Sequence, residues 1–212
     1  MFLNSKSLFK AVWVSTFLVA GSLPAWAASA PVKILSVSSR ATNPIQRAGC
    51  GPGKYNVTLA PDQSAVSVLF DEFIAEAGGN TGRQDQRTTC FLDMQIQALP
   101  GYRIAVSQAD IRGFYSLKNR AYLQAAFYFE TNGFRSPTVN RRIVGPKDES
   151  NWVPPIGLRV SDYRWSACGG TASINFAASM IVVSNSAREQ TLAQLDSSDF
   201  STNFQIVAQP CP

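Results

Sequence analysis

Any chemistry in this chain must be done without histidine, because none of its 212 residues is one. That removes the commonest general base and the commonest metal ligand. Hydrolases built on a Ser–His or Cys–His pair go with it. The acids left for proton transfer are Asp71, Glu72 and Glu76, which follow a strand-like run, and Asp196 and Asp199 around Ser197-Ser198. Two carboxylates facing each other across a cleft can cleave a glycosidic bond. One reading of these acids is therefore a carboxylate-dependent glycan hydrolase or lyase; the other is exposed acids at strand ends and turns. Asp148-Glu149 and Asp196/Asp199 offer oxygens that hard cations accept, but neither run follows a calcium-loop pattern, so no metal and no cofactor is expected. The glycines of 49–53 precede a strand instead of opening a helix, which excludes a phosphate-binding or dinucleotide fingerprint.

Residues 133–165 have the composition best suited to binding. Arg135, Arg141, Arg142, Lys147, Arg159 and Arg164 stand there against Asp148, Glu149 and Asp162, interleaved with Trp152, Tyr163 and Trp165. Planar guanidinium groups grip anions, and aromatic rings stack on sugars. Trp152, Tyr163, Arg164, Trp165, Arg141 and Arg142 are the candidate binding residues. The plainer alternative packs Trp165 into core near Cys168 and leaves the arginines on a solvated face. Arg112-Gly113-Phe114 adds a glycine inside a strand-like run, the mark of a bulge or a close backbone approach. It would turn Arg112 inward toward a carboxylate.

These side chains must be positioned by strands. Tyr55, Val57 and Leu59 share one face, and so do Val66, Val68 and Phe70. The same two-residue period runs through Leu92, Met94, Ile96 and Ala98, through Ala121 to Phe129, through Ile174 to Val182, and through Phe204, Ile206 and Ala208. Pro100-Gly101 between two such runs predicts a hairpin over 91–107. Residues 187–195 fit a short helix or a strand equally. The glycine-rich 78–89 and the proline-punctuated 133–165 read as loops. Many short strands with few helical signals predict an all-β, antiparallel β-sandwich, with a jelly roll among the arrangements that fit.

Four cysteines, Cys50, Cys90, Cys168 and Cys211, permit three pairings. Sequence order favours Cys50 with Cys90 and Cys168 with Cys211, each bridge closing its own half of the chain. Each loop is about 40 residues, for which the chain-entropy model assigns ~4 kcal/mol. Zinc does not suit cysteines so far apart in a chain without histidine.

Disulfides belong to export, and the N-terminus agrees. Lys6 and Lys10 precede an apolar run from Ala11 to Gly21, then Pro24 and Ala25-Trp26-Ala27. This is the pattern of a signal peptide over 1–27, and the run is too short to span a bilayer. The expected organisation is a signal peptide (1–27), an N-terminal segment (28–48) and a single β-sandwich domain (49–212). No membrane span remains after cleavage, and the destination is extracellular or periplasmic. The formal charge of +5 is mild, too little basic density for nucleic acid.

The ordered motifs Gly49-Cys50-Gly51-Pro52-Gly53, Phe70-Asp71-Glu72-Phe73, Cys90, Pro100-Gly101-Tyr102, Arg112-Gly113-Phe114, Tyr128-Phe129, Cys168-Gly169-Gly170, Asp196-Ser197-Ser198-Asp199 and Cys211 resemble the domain-of-unknown-function family four-three-six-zero. These are small exported four-cysteine proteins of fungi and bacteria. The resemblance implies export and two disulfides and carries over no activity. Near the end, Phe204-Gln205-Ile206-Val207 stands where the family would place a tryptophan-bearing strand. The function that best joins these features is a non-enzymatic extracellular or envelope domain binding a surface glycan or an envelope or extracellular protein. The hydrolase or lyase and a structural or inhibitory secreted domain are its alternatives.

Overall fold

The structure, a computed structural model, describes residues 32–40, 47–195 and 201–212. The expected signal segment, Asp196 and Asp199 lie outside the described residues. Among the described residues sixteen strands follow one another: β1 (Val32–Ser39), β2 (Arg47–Ala48), β3 (Tyr55–Leu59), β4 (Ala65–Phe70), β5 (Ile74–Ala77) and β6 (Asp85–Ala98). Next come β7 (Tyr102–Asp110), β8 (Gly113–Leu117), β9 (Tyr122–Thr131), β10 (Phe134–Arg135) and β11 (Val139–Val144). The last are β12 (Lys147–Ser150), β13 (Ile156–Gly157), β14 (Thr171–Val183), β15 (Thr191–Leu195) and β16 (Thr202–Pro210). All pair antiparallel except β2, which runs parallel to β6.

A seven-stranded sheet has the order β1-β6-β14-β9-β10, with β11 on β9 and β2 on β6. Opposite it lie a sheet ordered β13-β7-β16-β4-β3 and a sheet ordered β12-β8-β15-β5. The latter two are halves of one layer. Along the chain β4 leads into β5, β7 into β8 and β15 into β16, and the strand order repeats in both halves. With each broken strand taken as one, β12 and β13 included, and the added strands β1, β2, β3 and β10 set aside, eight strands form the frame of the fold. The first pairs with the eighth (β4 on β16, β5 on β15) and the second with the seventh (β6 on β14). The third pairs with the sixth (β7 on β13, β8 on β12) and the fourth with the fifth (β9 on β11). This nested pairing makes the sandwich a jelly roll.

The core fills the space between the layers, and period-two patterning places it there. Leu92, Met94 and Ile96 of β6, Phe127 and Phe129 of β9 and Phe176 and Met180 of β14 are fully buried. Rings cross between the layers: Phe70 meets Phe176 at 6.2 Å, Phe176 meets Phe204 at 5.5 Å, and Phe204 meets Phe129 at 6.0 Å. Burying each such side chain stabilises the fold by ~1.5–3 kcal/mol. The bridges Cys50–Cys90 and Cys168–Cys211 form, as the half-by-half order favours.

Several expectations are corrected. Residues 91–107 do not form a hairpin. The turn at Pro100-Gly101 is present, with Tyr102 N–H donating to the Leu99 carbonyl and Gly101 at φ 86°, but β6 and β7 enter opposite layers. Turn chemistry is local and does not say whether the strands it joins pair edge to edge or face each other. Residues 85–89, read as loop, are the start of β6; of the two readings open for 187–195, strand is the one found, over 191–195. The segment 133–165 is not one long loop, since β10 to β13 lie within it. Gly113 does mark a close approach: a Cβ there would stand 2.5 Å from the Gln194 carbonyl oxygen. Arg112, however, is exposed instead of turned inward. β1, from the segment expected to precede the domain, pairs along β6 from Val32 to Ser39.

Candidate functional site

The six candidate binding residues separate into three places. Trp152 is a core residue, 2% exposed, with its ring 5.8 Å from Tyr115 and 5.7 Å from Phe127. It plugs the gap where the split layer breaks between β12 and β13. The expectation that it stacks on a ligand is therefore corrected. A large apolar ring beside a break is worth more buried than displayed. Tyr163, Arg164 and Trp165 lie on the segment that follows β13 along the edge of β7, where Leu158 N–H bonds Ser107 and Ser166 N–H bonds Ile104. Tyr163 and Trp165 pack edge to face at 6.2 Å, and the Arg103 guanidinium lies 5.1 Å over the Trp165 ring. Arg164 lies 4.9 Å over Phe134, which pairs with Thr131 at the far end of β9. Arg142 pairs with Gln124, seven residues earlier on that strand, about 23 Å away at the usual rise. The sequence therefore named two surface groups and a core residue.

Arg142 belongs to a surface that strand patterning alone does not single out, the outward face of the seven-stranded sheet; Arg141, one residue before it, pairs with buried Ala125 and has the opposite register at the sheet edge. Register arranges this face in rows. Ala177 of β14 pairs with Phe91 of β6 on one side and Tyr128 of β9 on the other. Two half-buried rings thus flank one methyl group, about 9.6 Å apart between strand axes. The floor between them forms an apolar hollow of about 130 Å³ lined by Phe91, Ala126, Tyr128, Ala177 and Ser179. Arginines stand outside both rings: Arg40 is 5.5 Å over Phe91 and Arg135 is 3.6 Å over Tyr128.

Polar rows lie on either side of the rings. In one, Asn175 pairs with both Asp93 and Glu130, and Asp93 is bonded to Arg40 at 2.9 Å. In the other direction, Ser179 pairs with Thr89 and Ala126, and beyond it Ile181 pairs with Arg87 and Gln124. There the face sinks into a second hollow of about 350 Å³, whose polar lining is Arg87, Gln124, Asn140, Arg141, Arg142 and Ser179. The two hollows share Ala126 and Ser179 and form one trough down β14. A signal for the ring row was available. Phe91 and Tyr128 sit at positions where strict apolar/polar alternation calls for a polar residue.

The remaining charges are structural in their geometry. Tyr115 OH donates to Glu149 at 2.6 Å, and Lys147 bonds the same carboxylate at 2.7 Å. The Lys147 ammonium and then the Tyr115 hydroxyl hold the Glu149 carboxyl below its ordinary range. Burial, then the bond to Glu149, pushes the Tyr115 hydroxyl up. Arg159 lowers Asp162 in the same way. Of the acids offered by the sequence, Glu72 is bonded to Lys54 at 2.6 Å near the layer break and Glu76 lies on β5. Among the described residues no group of three or more acids or cysteines is placed to hold a metal. No helix among them is long and apolar enough to cross a membrane.

Comparison with known proteins gives a structural alignment, a sequence relative and a family. A solved structure of TmCBM61 in complex with beta-1,4-galactotriose aligns over 85% of this chain and 89% of its own, at 10% identity and a TM-score of 0.19. So low a score carries no argument. An uncharacterized secreted protein of Arthroderma benhamiae is 23% identical over 154 residues, which cover 72% of this chain. The match spans 62% of that relative, less than two thirds of its length. Residues 47–211 match the family described as Domain of unknown function (DUF4360), so the chain, with its two half-by-half disulfides on a jelly roll, belongs to that family.

Proposed function

We propose that this is an exported binding domain that holds a glycan on the outward face of its seven-stranded sheet. The observation that carries the reading is the row Phe91–Ala177–Tyr128, two rings held apart by a methyl group on an open sheet face. Sugar rings present C–H faces that stack on aromatics, and their hydroxyls need donors and acceptors close by. Asn175, Ser179, Gln124 and Asn140 supply both. Export is supported by the signal-like N-terminus, by two disulfides, which persist in oxidising compartments, and by the secreted relative. The test is a glycan array with Phe91→Ala and Tyr128→Ala. Each variant is expected to weaken the array-positive glycan about tenfold, ~1.4 kcal/mol, at unchanged melting temperature. Unchanged binding by the double variant would move the site elsewhere.

A carboxylate-dependent hydrolase or lyase is favoured by one observation. Asp93 and Glu130 flank Asn175 on the same face, with backbones about 9.6 Å apart. Glycoside hydrolysis uses two acids that face one site. The bond from Arg40 to Asp93 weighs toward binding instead. Release of reducing ends from the bound glycan, abolished by Glu130→Gln, would decide for the enzyme.

A further inference from the structure

Resting on that reading, we propose that the glycan is an acidic polysaccharide and that Arg87 and Arg142 receive its carboxylates while Phe91 and Tyr128 stack on its rings. Charge is segregated along the trough. At one end stand Asp93, bonded to Arg40, and Glu130, whose register partner is Arg135. At the other end the 350 Å³ hollow has three arginines in its lining and no acid. Among the described residues none of Arg87, Arg141 and Arg142 forms an ion pair. The ion pairs among the described residues use Arg40, Lys54, Lys147 and Arg159.

What the arginines do touch leaves them ready for an anion. Arg142 lies over the Tyr122 ring with its central carbon 4.7 Å from the centroid. Contact through the face of a guanidinium leaves its in-plane N–H donors free, and stacking holds the fork in place before a ligand arrives. Arg141 uses one donor on the Trp152 carbonyl, at 3.4 Å, which ties the rim of the hollow to the core. Arg87, Ile181, Gln124 and Arg142 form one row across four strands, so two forks approach the same floor from opposite sides. A carboxylate accepts two parallel N–H bonds from such a fork.

The neighbours distinguish a sugar acid from a bare anion. Gln124, Asn140 and Ser179 both donate and accept, which suits the hydroxyls beside a sugar carboxylate. The arginine row lies two same-face rows from the ring row, about 13 Å at the usual rise. An oligosaccharide reaches both, and an inorganic ion does not.

The experiment uses the full mature chain and three probes: polygalacturonate, the same polymer fully methyl-esterified, and inorganic polyphosphate. Affinity is read by calorimetry, with melting temperature as the folding control. Polygalacturonate is expected to bind at least tenfold tighter than its ester. Arg87→Gln and Arg142→Gln should each remove most of that preference, and Arg142→Lys should fail to restore it, because a point charge replaces a fork. Phe91→Ala should weaken acid and ester alike. If the ester binds as well as the acid, or the arginine variants keep the preference, the acidic proposal falls and the glycan reading stands. Polyphosphate binding that resists Phe91→Ala would also overturn it, in favour of a general anion site. Absence of binding to both polymers, with no glycan recognised on the array, would take down both.

Discussion

Two regions of this molecule combine arginines with aromatic rings, and only one leaves a space between them. Along the edge of β7, Tyr163 and Trp165 pack against each other and Arg103 covers the Trp165 ring. The rings touch edge to face, with no gap between them for a ligand. On the seven-stranded sheet, Phe91 and Tyr128 are separated by Ala177, and their arginines stand on the outer flanks. The two regions are alike in composition and differ in the residue between the rings. A small side chain at the centre of a flat row turns two aromatics into the walls of a trough, whereas direct contact turns them into packing.

The comparison breaks most sharply at Trp152, which its sequence neighbourhood assigns to the edge group and its contacts assign to the core. Trp152→Ala is expected to destabilise the fold by ~3–5 kcal/mol, measured by urea denaturation. A loss below ~1 kcal/mol would mean that the ring between Tyr115 and Phe127 supports little. Ala177→Phe comes next. It fills the floor of the trough and should reduce glycan affinity more than tenfold, ~1.4 kcal/mol or more, while the β-sheet circular dichroism spectrum is retained. Binding undiminished by a third ring in that row would dissolve the distinction between the two regions.

Smaller effects sharpen the contrast. Tyr163→Ala and Trp165→Ala are half-buried truncations at a sheet edge, expected to cost about 1 kcal/mol each and to leave glycan affinity within twofold by calorimetry. The smallest effect is the pH dependence of the Tyr115–Glu149–Lys147 contact. Glu149 is depressed below its ordinary 4.5 in the fold. Its contribution is present above the unfolded value and is lost as pH falls through the depressed one. Tyr115 is raised above its ordinary 10.0, so its contribution holds below that value and fades as pH climbs through the raised one. The stability difference between the native chain and Glu149→Gln should therefore be greatest near neutrality and shrink toward pH 3, followed by denaturant titration at each pH.

Much of the architecture was legible residue by residue. The inward sets of β4, β6, β9 and β14 (Val66 and Val68; Leu92, Met94 and Ile96; Phe127 and Phe129; Phe176 and Met180) are buried as their alternation requires. The layer that each strand joins was not legible. Leu92–Ala98 and Tyr102–Val106 alternate as a hairpin would, yet they face each other across the core. The candidate site was half legible. Arg141 and Arg142 line the trough, but the tryptophan and tyrosine that drew attention to the same segment fold away from it. Composition counts residues over a stretch of chain, and a turn at Ser150–Asn151 is enough to send consecutive residues to surface and core.

By itself, then, the sequence determined the all-β class and the core positions, and it favoured the pairing of Cys50 with Cys90 and Cys168 with Cys211 that the fold contains. Each depends on period-two patterning or on order along the chain, which are local or nearly local properties. Only the tertiary structure decided that Phe91, Ala177 and Tyr128 share a row, and that Arg87 and Arg142 face the same hollow. Those residues come from β6, β14, β9 and β11, and strand register brings them together. A slip of one residue would have turned each strand's outward side chains into the core.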